Sequence, residues 1–216
     1  LLLPDQFIDV AEDTGLIADL GSKVLGIALN RLGKWNKTSK SPLNMAVNVS
    51  ARQLSDPAFP EVIRSALQTN DLDSSLVALE FTESALIAAN PVTEKVLEEL
   101  TAIGVQIGLD DFGTGFSSLA YLKRFPINFL TIDRSFMTGL GTNDDDTAIV
   151  NGTIALAHSL DLEVVAEGVE TETQLSHLNK LKCNFAQGFH FSEPVSDAEF
   201  DRFVNRTFDP SEISPN

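Results

Sequence analysis

Apolar side chains fall along this chain in two alternating rhythms. Short runs rich in β-forming residues occur at 45–50, 76–82, 105–109, 129–133, 163–166 and 185–191. Most of these runs are nearly continuous in apolar character, the pattern of strands covered on both faces. Between them, apolar residues recur at every third or fourth position. Phe59, Val62, Ile63, Ala66 and Leu67 make one such stripe, Val92, Val96, Leu97, Leu100 and Ile103 a second, and Leu175, Leu178 and Leu181 a third. That spacing gathers each set on one face of a helix. Thr171 followed by Gln174 has the form of a capping box and predicts where the third helix begins. Two further helices are predicted ahead of the first strand, near 4–13 and 20–35.

Strand–helix alternation makes this an α/β chain with parallel strands joined by right-handed crossovers. Six such strands fit an open doubly wound sheet or most of a barrel. No G-x-G-x-x-G follows the first strand, which removes the dinucleotide fingerprint of the open sheet. The expected architecture is therefore a TIM-like (β/α) barrel with six parallel strands in this chain. A closed barrel has eight, and no strand is found before Met45, so the first two are expected upstream. The chain opens on Leu rather than Met and reads as part of a longer protein. Residues 1–205 are expected to form the barrel, and 206–216, rich in Pro, Ser and Asp, a tail or linker.

Composition narrows the partners. With 216 residues and 43% hydrophobic content the chain can bury one full core and is no disordered tail. No run approaches the roughly 18 apolar residues of a membrane helix. Leu1, Leu2 and Leu3 are stopped by Pro4 and Asp5 without a basic flank, so they are no signal peptide. Cys183 is the only cysteine and cannot form an intrachain disulfide, which suits a reducing compartment, the cytoplasm. Acidic side chains outnumber basic ones 31 to 15, a formal charge of −16 that disfavours duplex nucleic acid and anionic lipid.

The chemistry is written at the strand ends. Asn48 closes the first strand, Glu80 and Glu83 the second, Asp110 and Asp111 the third, and Asp133 the fourth; Glu167 and Glu170 follow the fifth, and Gln187 lies within the sixth. Any one of these is more simply a helix cap or a turn residue. Six in succession are not, because a parallel barrel brings all its C-terminal strand ends to one face, where active sites of this fold lie. Carboxylates so crowded repel each other unless a cation joins them. Every candidate ligand is a hard oxygen donor, and His158, His177 and His190 are far apart in sequence. The expected ion is Mg²⁺ or Mn²⁺, or else Ca²⁺, rather than zinc or copper. Adjacent Asp110 and Asp111 suit a pair of ions, the usual device for attack of water on a phosphodiester. Asp111-Phe112-Gly113 matches a kinase signature in letters only, because no catalytic loop or glycine-rich nucleotide loop precedes it.

Taken together, Asn48-Val49-Ser50-Ala51-Arg52-Gln53-Leu54, Glu80-Phe81-Thr82-Glu83, Asp110-Asp111-Phe112-Gly113-Thr114-Gly115, Ile132-Asp133-Arg134-Ser135-Phe136, Ala166-Glu167-Gly168-Val169-Glu170 and Gln187-Gly188-Phe189 resemble the EAL domain, the bacterial phosphodiesterases specific for cyclic di-GMP. The resemblance covers nearly the whole chain. It implies a two-metal hydrolysis of cyclic di-GMP to linear pGpG with Mg²⁺ or Mn²⁺. By resemblance Asn48, Glu80 and Asp110 hold the first ion, and Asp110, Asp111 and Glu167 the second. Glu83 holds the 110–118 loop, while Asp133, Glu170 and Gln187 orient water, metals and neighbouring groups. Ser50, Arg52, Gln53 and Pro194 are the positions expected to touch the dinucleotide. The family also implies an upstream sensor or diguanylate cyclase-like domain and admits a homodimer.

Two departures change the expectation. The Glu-Ala-Leu motif that names the family, with one further ligand of the first metal, would lie on the upstream strands. The family's Lys, two residues before the Asp of Ile-Asp-Arg-Ser-Phe, is here Thr131. A period of two puts Thr131 on the same strand face as Asp133, but Thr lacks the charge and reach of an ammonium group. In the family that Lys contacts the attacking water, and losing such a group commonly costs about 10²–10⁴-fold in rate. Glu193 before Pro194, where many relatives carry a basic residue, also fails to favour a phosphate. The expectation is a domain that binds cyclic di-GMP with hydrolysis weak or lost; the alternative is an inactive receptor or scaffold that signals to a protein partner.

Overall fold

The computed structural model describes residues 4–87, 89–113 and 119–204. Two helices come first, α1 (Ile8–Thr14) and α2 (Ile17–Asn36), the second burying Leu25, Leu29 and Leu32 along one face. Strand β1 (Met45–Asn48) leads through α3 (Ala51–Leu54) and α4 (Phe59–Asn70) to β2 (Val77–Thr82). Next come α5 (Glu83–Ile87), α6 (Pro91–Ile103) and β3 (Gln106–Phe112). After α7 (Leu119–Arg124) follow β4 (Phe129–Ile132), α8 (Arg134–Thr138), α9 (Asp144–Ser159) and β5 (Glu163–Ala166). The last described elements are α10 (Glu172–Lys180), β6 (Phe185–Ala186) and α11 (Asp197–Val204). Local chemistry sets the boundaries. Asn90 caps α6 by accepting from the N–H of Val92 and of Thr93, and Gly104 ends it at a left-handed φ of 97°. Thr171 and Gln174 form the predicted capping box of α10.

All six strands are parallel, in the order β1-β2-β3-β4-β5-β6. An order without reversal means every crossover passes over the same side, so the sheet curls as part of a barrel instead of opening as a doubly wound sheet. The helix-facing side is the core. Val77, Leu79 and Phe81 of β2, Ile107 and Leu109 of β3, Leu130 and Ile132 of β4, and Val164 and Ala166 of β5 are all buried there, in one cluster with Leu29, Ile63, Leu97, Leu100 and Ile154 of the helices. The other face is different: Ala78, Glu80 and Thr82 along β2 are half-buried or exposed. Burial thus alternates along β2, whereas all four residues of β4 are buried; among the described residues the six strands do not close, and the concave face is left open at β2. Val62 and Val92, placed in the helix stripes by spacing, also remain 41% exposed each, at the edges of their stripes.

The first and last parts of the sheet are tied together by helices. Trp35 at the end of α2 packs on Phe200 of α11 with ring centroids 4.4 Å apart, and its indole N–H donates to Asp201 at 2.7 Å. Arg31 pairs with Asp197 at 2.5 Å. A cavity of about 850 Å³ opens beside this contact, between residues 39–43 and the chain after β6. It has little to do with the acidic strand ends, sharing only Gln187 with them, and marks the open seam of the curled sheet. No helix among the described residues is long and apolar enough to cross a membrane.

The sixth strand is shorter than expected, two residues in place of seven. After Ala186 the chain turns against the loop that follows β5: Val169 N–H donates to Gln187 O at 3.0 Å and His190 N–H to Val169 O at 2.9 Å. Gly188 makes this approach possible, since a Cβ there would lie 2.2 Å from the Val169 carbonyl oxygen. Backbone cannot swing aside as a side chain can. Gly188→Ala is expected to destabilise the domain by about 1–3 kcal/mol. Urea unfolding monitored by circular dichroism checks this, and an unchanged midpoint would show that the packing is looser than described.

Candidate functional site

Parallel pairing brings the C-terminal strand ends to one rim. Asn48, the last residue of β1, is level with Glu80 of β2, and Thr82 of β2 is level with Asp110 of β3. Asp133 directly follows β4 and Glu167 directly follows β5, the Glu167 N–H donating to Ile132 O at 3.1 Å. Gln187 follows β6, with its N–H on Ala166 O at 2.8 Å.

Adjacent residues of a regular strand point to opposite faces, so Asp110 and Asp111 need a device to act together. The register supplies it. Leu109 pairs with Leu130, but Phe112 pairs with Ile132, three steps along β3 against two along β4. This bulge leaves Asp111 at a left-handed φ of 57°, and bulges of this kind re-aim side chains at the ends of strands. Thr131 sits against the bulge, wholly buried in a strand whose other residues are all apolar. Its hydroxyl donates to Asp110 Oδ1 and accepts from Asp111 N–H at 3.1 Å. Asp111 N–H also reaches Asp110 Oδ1, at 2.9 Å.

The acidic groups feel one another. Glu80 is pushed up to about 7, by burial first and then by the charges of Asp110 and Glu167. Glu167 is likewise pushed up to about 7 by burial and by Asp110, Asp111 and Asp133, with Arg134 opposing. Burial and then Asp110 and Asp133 raise Asp111, again against the pull of Arg134. Burial acts upward on Asp133 too, but hydrogen bonds from Ser135 and Arg134 and the Arg134 charge outweigh it and hold this carboxyl low. Asp133 also caps α8, accepting from Ser135 N–H at 3.0 Å, so it combines the structural reading with a place in the cluster. As they stand, no three His, Cys, Asp or Glu among the described residues are drawn together closely enough to grip an ion. In type and charge the donors nonetheless suit a hard divalent cation: all are oxygens, four are carboxylates, and burial followed by mutual repulsion keeps protons on two of these near neutrality.

The other predicted positions have surroundings of their own. Glu83 is buried at the start of α5. Residues 114–118 of the loop it was expected to hold, like 206–216 of the expected tail, lie outside the described residues. Glu170 is exposed, and its N–H donates to Gln174. Ser50 and Gln53 form the capping box of α3, and Gln53 is buried in that role. Arg52 is exposed, and Pro194 lines the seam cavity. Two residues gain a part that sequence reading did not give them. Arg134 is the cation that bears on Asp111, Asp133 and Glu167, and Thr131 is bonded to both aspartates. Arg134 had a visible signal, a basic residue directly after an acidic strand end; the Thr131 bonds depend on a bulge that leaves no mark in the sequence.

Known proteins resemble this chain in sequence and in fold. The curated relatives include a bifunctional diguanylate cyclase/cyclic di-GMP phosphodiesterase, MucR of Pseudomonas aeruginosa, 44% identical over 195 residues, which are 90% of this chain and 28% of that protein. The cyclic di-GMP phosphodiesterase NbdA of the same organism is 40% identical over 204 residues, 94% of this chain and 26% of that protein. This chain thus spans about a quarter of the length of these relatives. The solved c-di-GMP complex of the PaMucR phosphodiesterase superposes with a TM-score of 0.87 at 42% identity, covering 92% of this chain and 81% of that one. The EAL domain model matches residues 1–194. The match over residues 1–194 and the identity to these relatives show that the chain belongs to the EAL domain family.

Proposed function

We propose that this domain binds cyclic di-GMP against a divalent-metal site and hydrolyses it weakly or not at all. The observation that carries the reading is the shared electrostatic field of Glu80, Asp110, Asp111 and Glu167 at one rim, with a threonine hydroxyl against Asp110 in place of an ammonium group. Support also comes from the relatives named as cyclic di-GMP phosphodiesterases and from the c-di-GMP complex of a 42% identical structure.

Asn48, Glu80 and Asp110 are assigned to one Mg²⁺ or Mn²⁺, and Asp110, Asp111 and Glu167 to a second. Bound there, such ions supply charge for a phosphoryl oxygen and acidify a water. Thr131 adds neither a positive charge nor a group that exchanges protons near neutral pH, so the step that needs a positioned lysine is the one impaired. Arg134 opposes part of the negative charge, and Asp133 holds the start of α8 in place. Glu170 and Gln187 are assigned to orienting neighbouring groups, and Glu83 to supporting the loop after β3. Arg52 and Pro194, both exposed, are assigned to the dinucleotide; Ser50 and Gln53 shape the turn that presents Arg52. A diguanylate cyclase-like or sensor domain elsewhere in the same protein, a cytoplasmic setting and a homodimer complete the proposal. If turnover is absent while binding persists, the domain acts as a receptor.

Metal and proton compete for the same carboxylates. The metal-free fold holds protons on Glu80 and Glu167 up to about pH 7, whereas an exposed glutamate loses its own near 4.5. Between those values the folded state binds more protons, so stability falls as pH rises through 7. Thermal melts of metal-free protein are expected to lose midpoint between about pH 5.5 and pH 8. Glu80→Gln should flatten that slope and recover about 1–2 kcal/mol at the upper end, a figure discounted for partial exposure. Comparing the two proteins cancels the three histidines; equal slopes would count against the crowded rim. Calorimetric titration with Mn²⁺ should give saturable binding that weakens below pH 7 and is lost in Glu80→Gln, and no saturable heat at millimolar ion would remove the metal assignment.

Turnover separates enzyme from receptor. With Mg²⁺ or Mn²⁺, the parent is expected to yield little or no pGpG, and Thr131→Lys about 10²–10⁴-fold more. Rapid hydrolysis by the parent would overturn the impaired reading; submicromolar cyclic di-GMP binding without product would establish the receptor.

A further inference from the structure

We propose that Thr131 is a positioning residue, a neutral clamp that holds the β3 bulge so that Asp110 and Asp111 present their carboxylates to one cation site. The inference rests on the metal reading above and goes beyond it, since substitution of the lysine would otherwise count only as a loss.

Thr131 is fully buried between Leu130 and Ile132, where a hydroxyl without a partner would be costly. It meets its needs in a single place. The hydroxyl proton goes to Asp110 Oδ1, and its oxygen accepts the N–H of Asp111 at 3.1 Å. Asp111 is the residue at a left-handed φ of 57°, the point where the register of β3 against β4 shifts. The same side chain therefore fixes the carboxyl group of one aspartate and the backbone of the next. Thr131 and the Asp111 N–H both bond to Oδ1 of Asp110, so Oδ2 is the atom through which Asp110 can meet an ion.

A β-branched residue suits this task. Its χ1 is stiff, which holds the hydroxyl in one direction. Beneath it, Gly108 leaves room for the ring of Phe129, whose Cζ would lie 2.2 Å from a Cβ at that position. Phe129 and Thr131 are two residues apart on one strand face, as are Gly108 and Asp110 on the neighbouring strand. Ring over glycine and hydroxyl on carboxylate thus lock β3 to β4 in two successive layers.

Removing a group that orients a metal ligand commonly weakens metal affinity by about 10–100-fold. Thr131→Val keeps shape and burial but removes the hydroxyl, whereas Thr131→Ser keeps the hydroxyl. Two readouts on the whole domain test the clamp: Mn²⁺ affinity by calorimetry, and hydrogen exchange of the Asp111 amide by NMR in metal-free protein. The expected result is Mn²⁺ binding at least tenfold weaker and faster Asp111 exchange in Thr131→Val, with Thr131→Ser within about threefold of the parent in affinity. Unchanged affinity in a folded Thr131→Val, or an unchanged Asp111 exchange rate, overturns the proposal. A parent that binds no Mn²⁺ defeats the metal reading instead, and the Asp111 amide then still decides whether the clamp exists. Should Thr131→Val fail to fold, Thr131→Ala with the same two measurements takes its place.

Discussion

Repulsion among carboxylates at the C-terminal rim is the constraint around which the rest of this domain is arranged. Glu80, Asp110, Asp111, Asp133 and Glu167 share a common field which, added to the larger effect of burial, keeps protons on two of them near pH 7. A fold selected for stability alone would scatter them. Here the strand register, the bulge in β3 and the turns after β4 and β5 bring them to one rim, and Arg134 opposes the charge of Asp111, Asp133 and Glu167. The net charge of −16 deepens the potential they sit in. The cost is carried by the other side of the sheet, where Val77, Leu79, Phe81, Leu109, Leu130 and Val164 are packed beneath the helices. One face of the strands stabilises the fold and the ends are left for chemistry, the division that barrel folds allow.

Much of this was legible from residue order. Helix spacing, the capping box at Thr171 and the succession of acidic strand ends are local signals, and each corresponds to an element found in the structure. What was illegible depends on pairing between distant segments. The apolar look of β2 implied cover on both faces, yet β2 alternates while β4 is buried throughout, because cover on the second face depends on how the whole assembly packs. The seven residues expected in β6 shrank to two because Gly188 lets the chain press on the Val169 backbone, a contact between segments about twenty residues apart in sequence. Likewise Gln53 looked like a ligand-facing amide, while in the fold it is buried as a capping partner of Ser50.

The bulge is the sharpest case. Asp110 and Asp111 are adjacent letters, and adjacency alone sends their side chains to opposite faces. Only the shift between Leu109 and Phe112, with Asp111 in a left-handed conformation that aspartate tolerates better than most residues, lets both join the cluster. Thr131 could be recognised in the sequence as a missing lysine, but its bonds to the two aspartates belong to the three-dimensional register.

Charge accounting at that position has a further consequence for the proposed ligand. A lysine would place an ammonium group beside Asp110 and remove one unit of net negative charge from the rim. Threonine leaves that charge in place, which strengthens the attraction for divalent cations and also the repulsion of phosphate groups. On the proposed reading, cyclic di-GMP brings its phosphates to a rim that repels them until cations are present. Cation and dinucleotide then help each other to bind, because each neutralises what the other finds unfavourable. Thr131 thereby separates two properties that one lysine would join: the carboxylates keep their power to gather cations, while the group best suited to advance the reaction is absent.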